Sequence, residues 1–374
     1  MNSDLSKIEK RYKLAVPADV HGRRSAVEVA NAASYLCWSP AGAYRSFARL
    51  LPGRQEDRRS ETYRSRHRRK HSSGNDARLL PNPFEKYGIK FVATYIGETL
   101  GNVSGGLRQG AVYEGRLNLA VDVDLQKLLG ADDLTFHANM FQIHGNGLSR
   151  SYLQNFLVAS GIEALPSTRL YEMWFERKWG TTLALRAGQL AADTEFMNAK
   201  YTDVFTNASL GWPAITSINL PSGGPSPPLA ALGARIRANV TDNWTVVGAI
   251  FDGDAAGPGP QDPQLRDNHG VNFRINDPPL VLGEVQYMWN GKKGDPGLEG
   301  KLKVGGWWHF GEFADQRFNA QGASLALGAG AAATFWGDHG IYSVFEQKVY
   351  RVGKDDDRGI GVFARISSSP SDRN

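Results

Sequence analysis

AVYEGRLNLAVDVD, residues 111–124, is the stretch on which the fold turns. Ala111, Tyr113, Leu117, Leu119, Val121 and Val123 fall on one side of an extended chain, with Gly115 among them. Val112, Glu114, Arg116, Asn118, Ala120, Asp122 and Asp124 fall on the other. Strand side chains point alternately to opposite faces, so the segment predicts a strand with one apolar side and one charged side. At 14 residues it is long, since strands of soluble sheets commonly run about 5–6 residues.

The same alternation recurs at 88–98, 133–144, 169–178, 181–190, 232–240, 244–251, 271–275, 281–290, 301–310, 340–351 and 358–367, which with 111–124 predicts 12 strands. Gly, Pro, Asn or Asp bounds each, and helical periodicity is nearly absent between them. The connections 241–243 and 276–279 are tight, whereas 145–168, 191–231, 252–270 and 311–339 are long. Short turns on one side and long loops on the other predict an all-β chain folded as an antiparallel transmembrane β-barrel. The alternative is a soluble or surface β protein that binds carbohydrate, whose charged strand faces meet bulk water.

Composition agrees with β structure. The 374 residues include 42 glycines and 10% aromatics, and Cys37 is the single cysteine, which excludes a disulfide framework and a cysteine-cluster metal site. The net charge of +5 is local: residues 1–80 carry 17 of the 43 Lys and Arg but 8 of the 38 Asp and Glu. Residues 81–374 therefore hold 26 basic and 30 acidic side chains. The run Arg64-Ser65-Arg66-His67-Arg68-Arg69-Lys70-His71 belongs to this basic first segment, where apolar pieces at 27–36 and 44–51 predict weak helices at best. We read residues 1–83 as a poorly ordered basic segment, with no nucleic-acid partner, and 84–374 as the barrel unit. No apolar run suits a membrane helix of about 20 residues, and no secretory signal opens the chain.

The polar phases are the candidate chemistry. Glu114, Arg116, Asn118 and Asp122 share one face; Glu172 and Glu176 share another with Trp174 between them. Arg235 and Arg237 alternate with Ala234, Ile236 and Ala238, and Glu284 and Gln286 with Val285 and Tyr287. Lys301, Lys303, Trp307 and His309 alternate with Leu302, Val304, Trp308 and Phe310. With the apolar phase against lipid, these side chains line a water-filled bore. Mixed Arg and Glu suit a neutral polyhydroxyl solute, whose hydroxyls both donate and accept, and Trp can stack on the apolar face of a sugar ring. A phosphate pore would carry an excess of Lys and Arg instead. No metal-ligand spacing, nucleophile elbow or phosphate loop is present, so neither enzyme nor cofactor is predicted.

Eight blocks in collinear order then carry a resemblance: YIGETLGNVSGG at 95–106, GAVYEGR at 110–116, FQIHG at 141–145, FTNASLGWP at 205–213, TDNW at 241–244, FDGD at 251–254, GEVQY at 283–287 and FADQRF at 313–318. The chain resembles the carbohydrate-selective porins of Gram-negative outer membranes, the OprB-type family, from about residue 84 to 374. The resemblance implies a barrel of 16 strands passing glucose and related sugars by passive diffusion, as a monomer or homotrimer in the outer membrane. It narrows at an eyelet of charged and aromatic side chains. Carried over by position, Glu114, Arg116, Glu172, Trp174, Arg235 and Arg237 are lumen candidates, with Arg186 and Glu284 next. Family members begin with a signal peptide and continue beyond the position of Asn374. The expectation is therefore a chain with foreign coding at its start and closing strands missing at its end.

Overall fold

The computed structural model describes residues 26–28, 82–292, 294–353 and 355–373. Among them are twelve strands: β1 (Ala26–Glu28), β2 (Ile89–Asn102), β3 (Gly110–Asp124), β4 (Leu134–Gly145), β5 (Ser167–Trp179), β6 (Leu183–Leu190), β7 (Ala231–Asn239), β8 (Trp244–Phe251), β9 (Leu280–Trp289), β10 (Gly300–Asn319), β11 (Ala332–Val352) and β12 (Asp355–Ser369). From β2 to β12 each strand pairs antiparallel with its neighbour in sequence, and β1 adds to the far side of β12. Val27 and Glu28, expected in a weak helix at best, are therefore strand; 29–36, the piece at 44–51 and the run 64–71 lie outside the described residues. No described helix is long and apolar enough to cross a membrane.

The connections alternate in length as the sequence predicts, except that 276–279, expected as a tight turn, is part of one long connection, 252–279. Segments 103–109, 146–166, 191–230, 252–279 and 320–331 leave one end of the sheet. Segments 125–133, 180–182, 240–243, 290–299 and 353–354 leave the other, the first holding α1 (Leu125–Leu129), whose first turn Asp124 caps through Lys127 N at 3.1 Å.

The two faces are inverted relative to a soluble protein. Phe175 is 52% exposed while Glu176 beside it is 6% exposed. Tyr113, Leu119, Ile236, Ile250, Val285, Leu302 and Ile341 are exposed, whereas Glu114, Arg116, Arg235, Glu284, Gln286 and Lys303 are buried. A sandwich would bury its apolar phase against a second sheet; here that phase lies outside, where hydrocarbon suits it.

The loop 191–230 turns inward and fills part of the concave side. Phe196, Met197, Trp212, Ile215 and Leu220 pack against Val247, Ala249, Phe251, Leu280, Leu282, Trp307, Tyr342 and Val344. Burying a side chain such as Phe196 or Met197 is worth about 1.5–3 kcal/mol, so the loop is anchored by the same effect that builds an ordinary core.

Three further sequence expectations change. Residues 271–275 are not a strand: Val271 N and Asn272 N donate to Asp267 Oδ1 at 3.1 and 3.3 Å rather than to a ladder. The two residues before it close the wall where the chain leaving β6 turns inward, with Leu170 N donating to His269 O at 2.9 Å and Gln189 Nε2 to Gly270 O at 3.0 Å. Gly270 has φ +67° and a Cβ there would lie 1.8 Å from Leu170 O, so glycine is required. Second, 311–339 is not one long loop, because β10 and β11 continue through it. Register shifts after His309 and Ala314 break the alternation that would have revealed them. Third, the β4–β5 ladder skips Tyr171: Asn139 opposes Glu172 and Met140 opposes Leu170. That bulge turns Arg169 and Tyr171, as well as Glu172, Trp174 and Glu176, to the buried side.

Candidate functional site

Pairing register assembles the charged row. Glu176 lies opposite Arg186 and Arg186 opposite Arg235, so three neighbouring strands place two guanidiniums beside one carboxylate. Glu176 accepts from Arg186 Nη2 at 2.9 Å and Nε at 3.1 Å, and from Arg235 Nη2 at 2.8 Å. The infolded loop supplies a second carboxylate, Glu195, which lies 2.9 Å from Arg235, 3.6 Å from Arg186 and 3.6 Å from Arg237. Three cations therefore share two anions in a partly dehydrated setting, where each loss of a partner is costly.

One pairing step away, Asp122 opposes His137 and His137 opposes Trp174. Asp122 meets His137 Nδ1 at 2.7 Å, His137 stacks with Trp174 at 4.8 Å, and Arg186 lies over the Trp174 ring at 3.8 Å. Asn118 Oδ1 accepts from Asn139, whose own Oδ1 accepts from Glu172 N at 2.9 Å. Glu172 Oε1 then takes Ala191 N at 3.0 Å, fixing the start of the infolded loop.

The remaining candidates lie elsewhere. Glu114 opposes Glu98 near the end of the sheet that bears the long loops, and Arg116 reaches Gly161 O at 3.4 Å and lies over Phe141 at 4.6 Å. Glu284 sits across the interior, accepting from Met197 N at 3.2 Å, Tyr342 Oη at 2.8 Å and Gln286 Nε2 at 2.6 Å. Lys303 Nζ donates to Asn198 O and Oδ1 at 2.6 and 2.7 Å, and Lys200 N is bonded to Glu346. Sequence reading missed Glu195 and Arg365, the first because it lies in a stretch without periodicity. Trp174 Nε1, Arg235 Nε and Nη1, and Arg237 Nε are buried donors without a hydrogen-bond partner.

Above the row, in the loop 252–279, Arg274 Nε and Nη2 donate to Asp277 at 2.8 and 3.0 Å, which holds the Asp277 carboxyl below its usual range. Burial pushes the neighbouring Asp252 up, and Asp277 N donates to Asp252 Oδ2 at 3.1 Å.

A continuous antiparallel sheet with its oily face outward, alternating turns and long loops, and a charged interior crossed by an infolded loop define an outer-membrane porin. The model of the carbohydrate-selective porin family, OprB, matches residues 108–374, and the chain belongs to that family. Among solved structures it is similar to the high-pH structure of Pseudomonas putida OprB, with a TM-score of 0.67 and 22% identity over 78% of this chain and 69% of that one. A low-pH structure of the same protein matches at TM-score 0.43 and 16% identity, over 77% of this chain and 69% of that one. A mutant of the Rh. blastica porin matches at 0.27 and 11%, over 75% and 99%. Neither of these two bears on the fold. No curated protein matches the chain. Membership makes the molecule a sugar porin: a channel rather than an enzyme, set in the Gram-negative outer membrane.

Proposed function

We propose that residues 84–374 pass glucose and related sugars passively through a bore whose selective point is the row Glu176, Arg186, Arg235 and Arg237 with Glu195 and Trp174. The observation that carries this reading is the interleaving of three guanidiniums with two carboxylates beside an indole. Guanidiniums donate and carboxylates accept, so together they can exchange partners with hydroxyls that do both, while the near balance of charge avoids trapping either ion. Asp122, Asn118 and Glu172 continue the polar wall beside this row, and Glu114 with Arg116 line the approach from the long-loop end. Glu284 and Gln286 serve the bore by holding the infolded loop.

Liposome swelling tests the reading. Vesicles carrying the protein are expected to swell several-fold faster in glucose than in an amino acid of similar size. Equal rates would reduce the molecule to a general pore.

A further inference from the structure

We propose that Lys303 and Arg365, on the wall opposite the arginines, are positioning residues that deliver Glu195 to the arginine row and thereby set the charge selectivity of the bore. This rests on the reading that the row lies on the solute path.

The geometry runs through the main chain. Two residues beyond Glu195, Met197 O accepts from Arg365 Nη1 at 3.1 Å, and one residue further Asn198 is gripped twice by Lys303. Arg365 also reaches a second pass of the same loop, at Leu210 O and Gly211 O, each 3.2 Å away, and at Ser209 O. A planar guanidinium with five fixed donors can staple several carbonyls at once, which an ammonium cannot reproduce. All of these acceptors except Asn198 Oδ1 are backbone atoms, so the two cations add to the apolar anchoring of the loop's side chains a hold on its main chain.

Fixing residues 197 and 198 leaves Glu195 little reach, because consecutive Cα atoms are about 3.8 Å apart. A long connection without such tethers would sample many courses. The consequence is electrostatic. With Glu195 in place, Arg186, Arg235 and Arg237 face Glu176 and Glu195; with the loop displaced they face Glu176 alone. An added positive charge in a cleft with low-dielectric walls raises the local anion concentration.

Reversal potentials of the full chain in planar bilayers under a salt gradient test this. Glu195→Gln is measured in the unmodified protein and in Arg365→Gln and Lys303→Met backgrounds. The difference within each background cancels the charge lost with the tether itself. In the unmodified protein Glu195→Gln is expected to shift the potential towards anions. In either tether background the same substitution is expected to shift it by less than half as much, and Lys303→Arg to restore most of the shift. The two backgrounds are independent, so failure of one to insert leaves the other to decide. An undiminished shift in the tether backgrounds overturns the proposal while leaving the arginine row in place. No shift in the unmodified protein overturns the row reading, and the proposal with it.

Discussion

Trp174 on β5 and Arg235 on β7 both face inward on either side of β6, yet they contribute differently. Trp174 supports Arg186 through its ring at 3.8 Å, an interaction worth about 0.5–2 kcal/mol depending on desolvation. Arg235 is 3% exposed and bonded to both carboxylates of the row. Hydrogen bonds to charged groups are worth about 1.5–3 kcal/mol, so Arg235→Ala is expected to weaken glucose block of the ion current by about tenfold or more. Trp174→Leu should weaken it less, and Trp174→Phe less again, because a smaller ring still supports the guanidinium. Titration of open-channel current with glucose measures all three; unchanged block in Arg235→Ala would remove the row from the sugar path. Arg235 and Trp174 were legible in the sequence because each sits in an unbroken run of alternation, 231–239 and, beyond the bulge at Tyr171, 172–176. Glu195 was not, since its position depends on a loop whose course is set by residues far along the chain.

At the scale of elements, the loop 252–279 shows how local chemistry replaces a strand. The alternation of Val271, Phe273 and Ile275 resembles a short strand, but Asp267 takes the amides of 271 and 272 and Arg274 closes on Asp277. Asp277, with its folded pKa held down by Arg274, contributes stability above the ordinary carboxylate range, and that stability is lost as pH falls through the lower folded value. Asp252, pushed up by burial, works in the opposite sense and favours the loop as it takes a proton. Hydrogen exchange of 267–277 is therefore expected to stay protected from neutral pH down to about pH 4, the ordinary aspartate range, and to loosen only below it. Arg274→Gln should bring that loosening up into the ordinary aspartate range. Loosening at the same pH in both proteins would show that the pair does not hold the loop.

For the whole molecule, orientation of the two faces is the property with the largest consequence. Leu119 is 40% exposed on the outward face and Thr94 lies on the inward one. A Lys on the lipid face costs about 2–4 kcal/mol at mid-bilayer, so Leu119→Lys should lower the temperature at which the folded band disappears on unheated gels, while Thr94→Lys should change it little. Equal effects would argue against an outward hydrocarbon contact. The sequence by itself determined most of the strands and their faces, though not the false strand at 271–275 or the full reach of β10 and β11. A period of two is local, and lipid outside with water inside imposes it on every crossing segment. Only the tertiary structure decided which charges meet, where the bulge at Tyr171 turns the wall, and how the loop 191–230 crosses the interior. Those outcomes depend on contacts between distant residues, such as Arg365 with Met197, 168 positions apart, and no local pattern encodes them.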